Sequence, residues 1–424
     1  MTLRSAIAMV KSLLHDEGGN ALALTAFALP LIVGCAGLAV DTIQWVYAKR
    51  DLQSAVDAAA VAGVYGLIQT GDMEDAVARN LAGNPDLPKD RAVYAEQSPD
   101  GYREDPMAVR VRVTIPAHLT FSSFFMKRPP AISVVATATV VETDADFCAV
   151  ALGDDDETGL TIESGADLDL GCGIATNSSA RDAVKADGSA AVSATRVTAL
   201  GGIDGDTMKS PIMRTYAMHQ KDPLEDTGPP LIPNTGCPNV TVNPDVARHN
   251  NGRLVLEPGC YQNLSINGPV FLNDGEYILN RGSLVVGPVA ELSCKACTIF
   301  LTSDDPAGDP QSIGRVQIDE HAKVKLAAPV EGPNAGLLIY QDRHAGDDHN
   351  HFENGIAGNS FTELKGLIYL PSETVRVSGE MNPDFSCARF IGRRLIFKGH
   401  VLIAANCSEN NVMKFKASDV KLVG

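Results

Sequence analysis

Residues 316–327 read VQIDEHAKVKLA. Val316 and Ile318 flank Gln317, and after a polar turn Val324 and Leu326 alternate with Lys323 and Lys325. Period-two alternation of this kind marks short strands with one face buried and the other wet. The same unit, an alternating strand, a tight turn and often a second strand, recurs in LTIESGADLDL (160–170), LSINGPVFLN (264–273), SLVVGPVAELS (283–293) and VRVSGEMN (375–382). Gly268 and Gly287 stand nineteen residues apart, and Gly165 and Gly188 twenty-three. Each unit can bury only one side of its strands, so stacking on neighbours is what makes a continuous core. The expected fold of residues 148–424 is therefore all-β, a right-handed parallel β-helix in preference to a sandwich. Residues 209–239, with Pro211, Pro223, Pro229, Pro230, Pro233 and Pro238, break the series and are expected to cross the outside in extended form.

The chain upstream has a different character. Residues 21–40, ALALTAFALPLIVGCAGLAV, carry no charge, and twenty helical residues rise about 30 Å, the thickness of a bilayer's hydrocarbon core. The run is longer than the apolar region of a secretory signal, and no A-x-A site with a following loop ends it. Helical spacing instead continues through residues 41–67, where Leu52, Val56, Ala59, Ala60 and Gly63 recur. Small residues at Ala55, Ala58, Ala59, Ala62 and Gly63 allow close approach of another helix, although alanine is also simply a good helix former. We take Ala55, Ala59, Ala62 and Gly63 as the candidate helix-packing face. A short helix at 73–83 and strand-like runs at 89–97, 107–116 and 131–142 follow. In the second run Val109, Val111, Val113 and Ile115 share one face. The expected order is thus a short cytoplasmic arm (1–19), a transmembrane helix with an extramembrane extension (20–69), a small α+β pilin-like module with an antiparallel sheet (70–147), and the β-helix (148–424).

Composition narrows the function. Of 424 residues 45% are apolar but only 5% aromatic, with Trp45 the one tryptophan, so the cores rest on aliphatic side chains. Against 52 acidic residues stand 35 basic ones, a net charge of -17, which opposes phosphate-covered partners and excludes nucleic acid as an expected one. Nine cysteines occur, and Cys35 is the one inside the apolar run. The other eight follow a membrane-targeting segment and are expected to be oxidised, which places the body outside the cytoplasm. The charges flanking the span, Arg4 and Lys11 before it and Lys49 and Arg50 after it, do not decide orientation. Strands one rung apart stack at about 4.8 Å, near the Cα separation of a disulfide, so near-sequence pairing is expected: Cys148 with Cys172, Cys237 with Cys260, Cys294 with Cys297, and Cys387 with Cys407. The CxxC at Cys294 and Cys297 is also half a zinc site or a redox pair in form, but no second CxxC or histidine pair completes a zinc set.

Residues 17–64 resemble the N-terminal segment of the TadE/TadG-like proteins of Flp (Tad) pilus assembly. The shared elements are a glycine before the span, "ALP" within it, "GLAVD" at its exit, and a helix matched at Leu52, Gln53, Ala55, Asp57 to Ala60, Ala62 and Gly63. Later segments are similar to longer TadG members: Cys148 to Leu152, Cys172-Gly173-Ile174 followed by Asn177-Ser178-Ser179, Pro258 to Tyr261, and Leu338 to Arg343. The resemblance implies an inner-membrane or pilus-associated part of the machinery that builds a thin adhesive fibre. Its implied partners are TadE-like pilin subunits and the pilus machinery, with surface polysaccharide a further candidate. Major pilins of this system carry a glutamate five residues into the mature chain; with Gly19 as the boundary, that position is Leu24. The DxSxS metal motif of some TadG relatives does not occur.

Chemistry-bearing clusters are few. A polysaccharide-cleaving β-helix needs carboxylates on adjacent rungs, for which the acidic run Asp154 to Glu157 and the pair Asp167 and Asp169 are candidates. An acidic loop on so acidic a chain is more simply a solvated face. Residues 343–351, RHAGDDHNH, hold His344, Asp347, Asp348, His349 and His351, and Asp204-Gly205-Asp206 offers carboxylates to a hard cation, but neither has a recognised ligand spacing. The expectation is a non-enzymatic minor pilin-like or tip/anchoring subunit without cofactor or metal. An envelope-anchored protein that binds or cleaves polysaccharide is the alternative.

Overall fold

The computed structural model describes residues 20–205, 208–210, 212–232, 236–244, 252–346, 354–379, 387–403 and 415–423. The chain divides into two units, Met1–Val141 with Val420–Gly424, and Glu142–Asp419.

The first unit is built on one long helix, α1 (Asn20–Gln69), which contains Pro30. Gly71 turns the chain with φ +73, a conformation that costs glycine little. Asp72 then caps α2 (Met73–Ala82), its carboxylate accepting the Asp75 amide at 2.9 Å, which satisfies one of the helix's unpaired first-turn donors. Strands β1 (Ala92–Gln97), β2 (Val109–Pro116) and β3 (Ala131–Ala145) pair antiparallel, Val113 opposite both Val93 and Val134. Val109, Val111, Val113 and Ile115 turn inward and are buried, while Arg112 and Pro116 face out. They meet Leu52, Val56, Ala59, Ala60 and Val64 of α1 and Val77 and Leu81 of α2 in one apolar core. Each fully buried valine or leucine there contributes about 1.5–3 kcal/mol. The fourth strand of this sheet, beside β3, is the C-terminal segment Phe415–Leu422.

The body pairs its strands in parallel, and through 239–358 each strand pairs with the one three further along. Asn239–Val242 pairs with Asn263–Ile266, then Leu284–Val286, Val316–Ile318 and Asn354–Gly358. Leu254–Leu256 leads through Pro269–Leu272 and Glu291–Cys294 to Lys323–Ala327. Gly259–Tyr261 leads through Gly275–Asn280 and Cys297–Thr302 to Leu337–Gln341. Val316 and Ile318 are buried around an exposed Gln317, and Val324 and Leu326 around exposed lysines.

Chain order and ladder order differ. The body begins at Phe147–Ala151, which has the late strand Cys387–Lys398 on one side and Gly173–Thr176 on the other. From there the ladder grows through Val197–Ala199 to Met213–Arg214. The next paired strand, Asn239–Val242, lies at the opposite end of the stack, and the later strands work back to the middle. His400–Ile403 pairs with Asp167–Leu170 and so leaves near where the body began. Sequence repeats show how a strand stacks but not on which neighbour, because every strand offers the same period-two face.

The expectation that outer side chains face water also needs a correction. Phe147–Ala151, Cys297–Thr302 and Leu337–Gln341 are buried at every position. Their outward residues, among them Phe147, Phe300 and Tyr340, join Tyr369 and Ile391 in a second cluster covered by Leu224 and Ile232 of the proline-rich crossing. Strands covered on both faces lose alternation and become continuous apolar runs.

Candidate functional site

Three residues near the exit of the apolar run of α1 lie on one stripe. Gly37, Asp41 and Trp45 are successive fourth residues and share a helix face. A side chain at Gly37 would place its Cβ 2.7 Å from Cγ of Phe121, so only glycine lets the loop after β2 lie against the helix. Asp41 is fully buried. Its Oδ2 accepts the Phe121 amide at 2.9 Å, the Ser122 amide at 2.5 Å and the Ser122 hydroxyl at 2.6 Å, which offsets part of the cost of burying a charge, while Oδ1 is buried without a hydrogen-bond partner. Trp45 Nε1 donates to the His118 carbonyl at 2.9 Å. The glycine and aspartate of GLAVD therefore form a clasp that holds residues 118–125 to the helix. A carboxylate four residues after a glycine at the end of an apolar run was the available signal, but the partner loop lies eighty residues away.

Further along, Gln53 Nε2 donates to Asp57 Oδ1 at 2.7 Å and to the Val135 carbonyl of β3 at 3.2 Å. Ala55 and Ala59 are buried, and a Cβ at Gly63 would stand 2.8 Å from Val109 and 2.9 Å from Val77. Of the expected packing face, Ala59 lies in the module's own core and Gly63 against Val109 and Val77, while Ala55 is buried and Ala62 partly exposed. What α1 leaves uncovered is its first half, where Leu24, Phe27, Leu29, Leu31, Ile32 and Val33 are all exposed. By length and hydropathy α1 is a candidate membrane span.

In the body the distinctive residues converge on the proline-rich crossing. The crossing marches along the ladder in order. Ala217 donates its amide to the Ala199 carbonyl. Asn177 accepts the Gln220 amide at 2.6 Å and donates to the Gln220 carbonyl at 2.9 Å. Asp222 accepts from Tyr369 at 2.7 Å and from Arg343 at 3.3 Å, while Arg343 also donates to the Leu224 carbonyl at 2.6 Å. Tyr340 donates to the Thr227 carbonyl at 2.7 Å, and Cys237 is bonded to Cys260. Burial, with Asp342 nearby, pushes the Tyr340 hydroxyl up to about 12; burial and the Asp222 hydrogen bond push that of Tyr369 up as well. Both phenols stay protonated donors at neutral pH. Asn177, Cys260, Tyr340 and Arg343 all belong to segments singled out in the sequence, and each fastens the crossing.

Cys148 is bonded to Cys172 with Cα atoms 5.7 Å apart, and Cys294 to Cys297 at 6.2 Å. Cys387 is disulfide-bonded, and Cys407 lies outside the described residues. The remaining candidates separate. Asp155 meets Arg393 at 2.9 Å and Arg394 at 2.8 Å. Burial raises its carboxyl, but the Glu157 amide and the two guanidiniums outweigh that and hold it below the ordinary range. Asp167 pairs with His400 at 3.2 Å, and Asp169 is exposed. His344 pairs with Asp342 at 2.8 Å; Asp206, Asp347, Asp348, His349 and His351 lie outside the described residues. Among the described residues no three His, Cys, Asp or Glu side chains converge to hold a metal.

No curated protein and no solved structure matches the chain. One family model does, described as "Putative Flp pilus-assembly TadE/G-like", and it covers residues 19–70, the helix whose stripe and clasp are described above. The match over this segment is consistent with a TadG-like protein and supports a role in Flp pilus assembly.

Proposed function

We propose that the protein is a non-enzymatic subunit of the Tad pilus system, a minor pilin-like or tip/anchoring component anchored by α1 in the inner membrane. The observation that carries this reading is the family match falling on a helix with one half exposed and apolar and the other half packed into its own module. The exposed half is the surface on which TadE-like helices join it, by close packing within lipid. The body, on this reading, is a right-handed parallel β-helix outside the cytoplasm. Its parallel three-strand periodicity and the handedness rule for parallel crossovers support that assignment, and its disulfides support the compartment. A stack locked along its side by a pinned crossing suits a mechanical or adhesive role, with surface polysaccharide a candidate ligand.

The test replaces residues 146–414 with a flexible Gly-Ser linker, which keeps β3 and the C-terminal strand of the first unit. The variant is expected to insert in the membrane, to co-purify with TadE-like subunits and to lose surface attachment. Immunogold labelling should place the intact protein on sheared fibres or at their base. Normal attachment by the linker variant, or intact protein found in neither location, overturns the reading.

A further inference from the structure

The loop held by the Gly37–Asp41 clasp carries an apolar group that the fold does not bury. Phe124 is 85% exposed and Phe125 69%. Phe121 and Met126 are partly uncovered beside them, and Lys127 and Arg128 follow directly, both exposed. A soluble domain gains nothing from two neighbouring phenylalanines in water. Their position on the helix explains them. Phe121 touches Gly37, which lies inside the charge-free run 21–40. From Asn20 to Gly37 a helix rises about 25 Å, so a bilayer whose hydrocarbon core begins near Asn20 ends within one turn of the clasp. Trp45 sits on the same stripe and Tyr47 is exposed just beyond it, which adds the aromatic side chains that collect at membrane interfaces.

We propose that residues 121–128 form a second, interfacial membrane contact, with Phe124 and Phe125 inserted among the headgroups and upper acyl chains and Lys127 and Arg128 paired with anionic lipid phosphates. The inference rests on the reading that α1 spans the bilayer. The partner is a lipid surface and not a protein groove, because the loop is clasped at the depth where the helix itself leaves lipid. A helix held at one point by a spanning segment rotates and tilts freely; a loop fixed to its side and inserted nearby sets both.

The test uses the full chain reconstituted in vesicles of phosphatidylcholine and phosphatidylglycerol. F124W and, separately, L31W are each placed in a W45F background, and tryptophan emission is quenched with lipids brominated near the headgroup or near the bilayer centre. We expect F124W to be quenched several-fold more by shallow than by deep bromines, L31W to show the opposite order, and K127E/R128E to weaken the shallow quenching of F124W. If L31W is quenched but F124W responds only to aqueous iodide, the loop contact is overturned while the span stands. If L31W is not quenched by either lipid, the span reading fails and the loop proposal with it. Should W45F fail to fold, F125W with Trp45 retained gives the same comparison after subtraction of the unaltered chain's emission.

Discussion

The two units solve the same problem, covering one-sided strands, by opposite means. In the first unit the sheet is antiparallel and a helix covers it, so each element meets partners that its own pattern announces: Val109, Val111 and Val113 on one side, Leu52, Val56 and Ala60 on the other. In the body the strands cover one another in parallel, and where an outward face is also apolar, a segment with little regular structure lies across it. Regular elements carry their interactions in their periodicity. The crossing carries its interactions in single residues at irregular intervals, Gln220, Asp222, Leu224, Thr227 and Cys237, answered in turn by Asn177, Tyr369, Arg343, Tyr340 and Cys260.

The difference is sharpest under reducing conditions. All the disulfides named above belong to the body, and the first unit's described residues hold only Cys35, inside the apolar run. A native disulfide is worth about 2–4 kcal/mol, so dithiothreitol should strongly accelerate hydrogen exchange across 147–303 and leave β1 to β3 protected. Equal loss in both units would show that they are one cooperative system. Next in size, Gly63→Leu should destabilise the first unit by about 2–3 kcal/mol or more through overpacking against Val109 and Val77, whereas Ala58→Leu on the exposed side changes little; thermal melts separate them. Loss of partner capture by both variants with unchanged melting would show an intermolecular role for that face. Asn177→Ala leaves the Gln220 backbone groups buried without partners and should cost about 1–3 kcal/mol, read as protease cleavage within 215–238 and not within β1 to β3. The smallest effect is acid sensitivity at Asp155. Its carboxyl is lowered in the fold, so its stabilisation is fully present above the ordinary aspartate range and is lost as pH falls through the lowered value. Asp155→Asn should flatten that acid limb for the body alone.

Much of this was legible in the residues. The alternation of Val316, Ile318, Val324 and Leu326 translated directly into buried and exposed positions, as did the valines of β2. The run FCAVA at 147–151, buried throughout, carried a further signal, since the absence of alternation meant covering on both sides. Two things were not legible. A parallel ladder accepts any strand of the right period, so the reordering that puts Phe147–Ala151 beside Cys387–Lys398 left no local trace. The small residues of α1 announced close packing but not its partner, because Val109 and Val77 satisfy Gly63 as well as a neighbouring helix would.

The C-terminal strand Phe415–Leu422 belongs to the sheet that the N-terminal residues begin. β3 therefore offers an edge that is filled only by a segment following the whole body in sequence. Tyr102 donates to the Val423 carbonyl, and the Val423 amide donates to the Thr137 carbonyl. An unpaired edge strand invites pairing with other chains, so a chain interrupted within the body leaves the first sheet one strand short. The first sheet therefore stays open along β3 until a segment that follows the body is in place, and one of its hydrogen bonds, Tyr102 to Val423, closes across 321 residues of chain.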